Sequence, residues 1–175
     1  MTEADFKRTI REIPDFPKPG IVFYDVSTLF RNASAFRETV DALVERYRGE
    51  KLDALAGIEA RGFVLASAMA YRLETGLVLV RKAGKLPAET VKESYSLEYG
   101  EASVEIHRDA VASGQRVLVV DDLLATGGTA TAAARLVGRL GGELAGCAFM
   151  VELGFLNGRS RLDGAAEIFS LIRYD

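Results

Sequence analysis

The run Val117-Leu118-Val119-Val120-Asp121-Asp122-Leu123-Leu124-Ala125-Thr126-Gly127-Gly128-Thr129 limits what this chain can become more than any other feature. Its first four residues are apolar and mostly β-branched, the pattern of a strand buried on both faces inside a parallel sheet. Asp121 and Asp122 then emerge at the carboxyl end of that strand, the edge where open α/β sheets bind ligands. Adjacent carboxylates repel one another there unless cations or hydroxyl donors accompany them. Thr126-Gly127-Gly128-Thr129 leads directly into a helix that the apolar spacing predicts from about Thr129 to Leu140. Glycine lets the backbone curl so that successive N–H groups converge, and the helix start adds partial positive charge. Such a cradle suits a phosphate monoester, with Ala125 to Thr129 supplying amides and the Thr126 and Thr129 hydroxyls as extra donors. For Gly-Gly-Thr alone the competing reading is a left-handed turn with a capping threonine; the preceding aspartates favour phosphate. A P-loop would need Lys where Gly128 stands, and no G-x-G-x-x-G occurs here. Acids beside a phosphate cradle suggest a phosphosugar, hydroxyls on the carboxylates and phosphate on the amides.

The rest of the chain repeats strand, turn and helix. Leu55 to Ile58, Leu77 to Val80, Arg116 to Val120, Glu143 to Leu153 and Glu167 to Ile172 read as strands. Phe63 to Leu73 and the amphipathic stretch around Phe36, Val40, Leu43, Val44 and Tyr47 read as helices, the latter with Ser34 as cap and Gly49 as stop. This predicts an α/β fold, a central and mostly parallel sheet with helices on both faces. At 175 residues the chain fits a single domain, residues 1–175. Two segments stand apart. The first 30 or so residues begin with a helix carrying Phe6, Ile10 and Ile13, which Pro14, Pro17 and Pro19-Gly20 end. Residues from about 81 to 108 read as an inserted β-hairpin, the kind of excursion that serves as a lid.

The net charge of −3 argues against sustained contact with nucleic acid or a membrane surface. The opening Met1-Thr2-Glu3-Ala4-Asp5 lacks the basic and apolar regions of a signal peptide, so a cytoplasmic protein is expected. Cys147, the single cysteine, lies in an apolar run and reads as a buried, inert thiol. His107, the single histidine, reads as an exposed strand residue rather than a catalytic base. Carboxylates, Arg, Lys and backbone groups are left to do any chemistry.

The strand, paired aspartates and Thr-Gly-Gly-Thr loop resemble the phosphoribosyl diphosphate motif of type I phosphoribosyltransferases, and the Leu-Leu-Ala-Thr-Gly-Gly-Thr form resembles the adenine-using branch. Asp15-Phe16-Pro17-Lys18-Pro19-Gly20-Ile21-Val22-Phe23 is similar to that branch's base-binding N-terminal hood, and Glu59-Ala60-Arg61-Gly62-Phe63 to its pyrophosphate loop. Val80 to Pro87 and Ser94 to Gly100 resemble its flexible loop. One departure is Tyr24, where several members carry Arg.

The resemblance implies transfer of a phosphoribosyl group from phosphoribosyl diphosphate to adenine, giving AMP and pyrophosphate with Mg²⁺. The ion would be held mainly by the diphosphate, with no dedicated protein ligand cluster. Asp121 and Asp122 would hold the ribose hydroxyls. Arg61, Gly62, Arg81, Lys82 and Lys85 would surround the pyrophosphate. Val22, Phe23, Tyr24, Arg61 and Leu123 would form the base site, and Glu98 would handle the purine proton. A cis peptide at Glu59–Ala60 and a homodimer are implied in the same way. Related 6-oxopurine enzymes carry a Lys after the strand that follows the phosphate helix, and Val151 to Leu156 contains none. The rivals are an enzyme for hypoxanthine, guanine or xanthine, and a regulator that senses phosphoribosyl diphosphate. A regulator of that kind adds a DNA-binding domain, for which there is no room before Asp15.

Overall fold

Every residue of β3 (Ala54–Ile58) is buried, as a strand with neighbours on both edges and helices on both faces requires. In the computed structural model, which describes residues 1–96, 100–162 and 167–175, β3 lies between β4 (Gly76–Lys82) and β7 (Arg116–Leu124), parallel to both. β8 (Glu143–Leu153) and β9 (Ile168–Tyr174) extend the sheet in parallel beyond β7. On the other side, β6 (Glu101–His107) pairs antiparallel with the end of β4, and β5 (Thr90–Ser96) pairs antiparallel with β6. The order among the described residues is β5-β6-β4-β3-β7-β8-β9.

Alternate side chains feed two apolar clusters. Leu55, Leu118, Val120 and Met150 pack under α3 (Ala33–Tyr47) and α4 (Arg61–Leu73). Val80, Val119, Phe149 and Cys147 pack on the other face under α5 (Gly128–Arg139). Burial pushes the Cys147 thiol up to about 12, so it stays protonated and inert, as expected. The cover is incomplete at β4, where Leu77 and Leu79 stay 40% exposed. They share a face with Leu55 and Gly57, and α4 lies mainly over β3 and β7, with less contact to β4.

The N-terminal segment differs from the expected single helix. α1 spans only Glu3–Lys7, capped by the reciprocal Thr2–Asp5 pair. The chain then turns, with the Thr9 hydroxyl donating to the Phe6 carbonyl. Ile13 therefore belongs not to the helix but to β1 (Arg11–Ile13), opposite Phe23 of β2 (Phe23–Asp25). Arg11 ties the two strands by donating to Asp25. Tyr24 stacks on Tyr174 of β9 with ring centroids 4.0 Å apart, and the Lys7 ammonium sits over Tyr174. Aromatic and cation–π contacts thus pin this small ribbon to the far end of the sheet.

Other corrections are local. A short helix, α2 (Ser27–Arg31), precedes α3, and Asn32 rather than Ser34 caps α3, its Oδ1 accepting from the Ala35 N–H. α3 ends at Tyr47, two residues before Gly49. His107 is half-buried, not exposed, and its Nε2 has no partner among the described residues. It stands at the end of the β5–β6 ladder, opposite Thr90. Among the described residues no helix is long and apolar enough to cross a membrane.

Candidate active site

β7 outlasts β3. The β3 register stops at Gly57 opposite Val120, whereas β8 continues to pair with β7 through Glu152 opposite Leu124. Asp121 and Asp122 therefore lie within the strand, not beyond its end. On the β3 side they have lost their neighbour and open onto the start of α4. The Glu59–Ala60 peptide between β3 and α4 is cis, as expected. Gly62 then lets α4 approach β7 closely: a Cβ there would lie 2.7 Å from Asp121 Oδ1 and 2.9 Å from the Val120 carbonyl oxygen.

That approach brings Arg61 Nε to 2.8 Å from Asp122 Oδ2. The contact is an ion pair rather than a directed hydrogen bond, because Asp122 Oδ2 is buried without a hydrogen-bond donor among the described residues. A buried carboxylate oxygen that is ion-paired but has no aligned donor leaves a place for a ligand hydroxyl. Burial pushes the Asp121 carboxyl well above its usual range, and the charge of Asp122 adds to this. Asp122 is also raised by burial, against the opposing pull of Arg61. Charge on the pair is thus disfavoured, and a ligand that brings donors or cations would offset that cost.

Ala125 to Ala130 curl around a cavity of about 70 Å³ that begins at Asp121. Gly127 sits at φ 80°, a left-handed conformation that glycine adopts without strain. No side chain caps α5 at this end, so its first-turn amides are available to a ligand. The plain capping-threonine reading of Thr129 therefore does not hold.

A second cavity, of about 200 Å³, is lined by Arg61, Lys82, Asp121, Asp122, Leu123 and Thr129 among others. The two cavities share Asp121, Leu123 and Thr129. A molecule with a phosphate at one end can therefore reach the carboxylates and then the cations. Arg81 does not line either cavity. Its guanidinium grips Glu59 at 3.1 and 3.3 Å and donates to the Lys85 carbonyl at 3.0 Å. The Arg81 guanidinium holds the Glu59 carboxyl below the usual range. Glu105, buried on β6, accepts from the backbone N–H groups of Lys85 and Leu86 at 2.8 and 2.9 Å. Arg81 is therefore a strut of the turn that carries Lys82 and Lys85.

Val22, Phe23 and Tyr24 do not line either of these cavities. Val22 is exposed, Phe23 meets Phe16 edge to face with centroids 5.3 Å apart, and Tyr24 is engaged by Tyr174. Glu98 lies outside the described residues. Glu105 escaped the sequence reading because a buried carboxylate on a strand carries no signal until its partners are known, and the grip of Glu59 on Arg81 was hidden for the same reason. The segment after Asn157 escaped it too, yet Gly158 packs against Ala125 and Gly127.

A phosphoribosyl transferase domain model matches residues 25–165. The chain is 56% identical to the adenine phosphoribosyltransferase of Solibacter usitatus, over 98% of each chain. It superposes on the crystal structure of the adenine phosphoribosyltransferase of Thermoanaerobacter pseudethanolicus with a TM-score of 0.94, at 53% identity over 99% of this chain and 100% of that one. The Saccharomyces cerevisiae enzyme, solved with adenine and an imino-altritol bisphosphate, is similar with a TM-score of 0.91, at 41% identity over 97% of this chain and 98% of that one.

Proposed function

This chain belongs to the phosphoribosyl transferase family, among its adenine phosphoribosyltransferases, and from that premise we propose how its residues make AMP and pyrophosphate from adenine and phosphoribosyl diphosphate in purine salvage. One observation supports the site assignment above the others. The buried Asp122 oxygen, paired with Arg61 but without an aligned donor, would accept from a ribose hydroxyl beside an uncapped helix start where the 5-phosphate would sit.

In the reaction, purine N9 attacks C1 of the ribose. The bond from C1 to the diphosphate oxygen breaks, and its electron pair leaves with pyrophosphate. Positive charge grows on the sugar and negative charge on the leaving group. Asp121 and Asp122 would accept from the ribose hydroxyls and stabilise the first. Arg61, Lys82 and Lys85 would face the second, with Gly62 keeping Arg61 close and Arg81 holding the turn. Preorganised groups of this kind contribute about 3–4 kcal/mol each where single donors have been removed. The proton leaves from N7, and Glu98 would accept it. Leu123 lines the cavity on the base side, and the exposed apolar Ile21 and Val22, which lie outside it, would have to close over the purine, with backbone groups near Phe23 and Tyr24 reading its amino edge.

Among the described residues no cluster of carboxylates, His or Cys could hold a metal by itself, so Mg²⁺ would be held mainly by the diphosphate, with its shell filled from substrate phosphates and water. The ion would neutralise diphosphate charge. A homodimer is supported by the exposed apolar side chains of Leu77, Leu79 and Val64, and sedimentation at twice the chain mass is its check. The same reading places the enzyme in the cytoplasm. The test of the activity is direct: adenine, phosphoribosyl diphosphate and Mg²⁺ should yield AMP and pyrophosphate in equal amounts, and a chelator should stop the reaction. Release of pyrophosphate without AMP would refute transfer to the base.

A further inference from the structure

The phosphate loop does not stand alone. Its floor is the 3-10 turn Gly158–Leu162, and the two backbones touch. A Cβ on Gly158 would overlap the Ala125 carbonyl oxygen and come within 3.1 Å of the Gly127 nitrogen. Conversely, a Cβ on Gly127 would overlap the Gly158 carbonyl oxygen. Two glycines facing each other at this range leave neither backbone room to move toward the other. The Thr131 hydroxyl crosses the seam, within 2.8 Å of the Gly127 carbonyl and 3.2 Å of the Arg161 carbonyl.

What holds the turn in place is one residue further on. Arg159 makes a fork with Glu152 of β8, Nε at 2.7 and 2.9 Å and Nη2 at 2.7 Å from its oxygens. Arg159 Nη1 also donates to the Ile168 carbonyl on β9 at 3.0 Å. The Glu152 side chain is 3% exposed. Burial alone would raise its carboxyl, but the hydrogen bonds from Arg159 and Ser170 outweigh that and hold it below the usual range. The Arg159 side chain is partly exposed, but a forked, charge-assisted pair onto a buried carboxylate is among the stronger side-chain tethers. Glu152 stands opposite Leu124, the last residue of β7 before the loop. The tether and the loop therefore start from the same rung of the sheet.

We propose that Gly158 and Arg159, acting through the Glu152 fork and the Gly127–Gly158 contact, are positioning residues that set the height of the phosphate loop. This sets how tightly the enzyme holds the phosphate of its nucleotide. The inference rests on the Ala125–Thr129 loop being the 5-phosphate site. Neither residue lines the cavity inside the loop. Their effect must therefore appear on phosphate-bearing ligands and not on the base or sugar.

AMP and adenosine differ only in the phosphate, so their dissociation constants, measured by calorimetry, isolate this term. Gly158→Ala adds the smallest group that must push the loop. Arg159→Lys keeps the charge beside Glu152 but cannot form the fork. Misplacing a binding group by about 1 Å can cost on the order of 100-fold, so each variant should weaken AMP by about 10- to 100-fold. Adenosine should stay within about twofold, because no group that meets it has moved. If both ligands weaken together, or AMP keeps wild-type affinity in a folded variant, the proposal is wrong. Should Gly158→Ala fail to fold, Arg159→Lys decides alone by the same ratio. If the wild-type protein binds AMP no tighter than adenosine, the phosphate assignment fails first and this inference with it.

Discussion

Asp122→Asn is expected to lower kcat/KM for AMP formation by about 10²- to 10³-fold, the scale on which a single preorganised electrostatic group contributes. The substitution keeps shape and volume. It removes the charge that would face the developing positive sugar, and it puts an amide where an acceptor meets the ribose hydroxyl. Stability should move little or rise. Both carboxyls titrate above the ordinary range, so the folded protein binds their protons more tightly than the unfolded chain does. Ionising them at neutral pH therefore costs stability, and removing one charge relieves part of that cost. Against this, Arg61 loses its partner at 2.8 Å. A variant that melts no lower than wild type yet has lost its activity is the signature of a functional carboxylate. One that keeps more than about a third of wild-type kcat/KM, well inside the usual effect of losing such a group, would mean that Asp122 only packs.

Gly62→Ala should be nearly as damaging, by a different route. The added methyl meets Asp121 Oδ1, the Val120 carbonyl oxygen and Asp121 Cα at 2.7, 2.9 and 3.1 Å. Two of these are backbone atoms of the interior strand β7, so the helix must yield. Overpacking of this kind costs about 1–3 kcal/mol of stability. Pushing α4 away also carries Arg61 off Asp122, and a shift of about 1 Å at a reacting site can cost on the order of 100-fold. Thermal melting and steady-state rates measured together separate the two effects. Wild-type rates with an unchanged melting temperature would show that the close approach is incidental.

Much of this architecture is legible in residues alone because its interior strands announce themselves. Val117 to Val120 and Glu143 to Leu153 are runs that only a sheet covered on both faces can bury, and they are strands. The Thr-Gly-Gly-Thr loop is legible for the same reason: few backbones need two glycines between a strand and a helix. What stayed hidden depends on partners far along the chain. Ile13 has helical spacing from Phe6, yet it pairs with Phe23 across a turn that spacing cannot reveal. Arg81 carries the same charge as Lys82, but Glu59 claims it as a strut. Gly158 looks like any loop glycine until Gly127 is seen against it. Local chemistry reads from sequence; tethers between distant segments do not.

The central claim is that this chain uses adenine as the acceptor of the phosphoribosyl group. The most direct test is a set of initial rates with phosphoribosyl diphosphate and Mg²⁺, supplying adenine, hypoxanthine, guanine and xanthine in turn. A site built to read one hydrogen-bonding edge rejects the wrong one by about 10⁴- to 10⁵-fold in kcat/KM. Adenine should therefore be converted to AMP while the three oxopurines give rates near background. Efficient conversion of hypoxanthine or guanine, with adenine inert, would contradict the account.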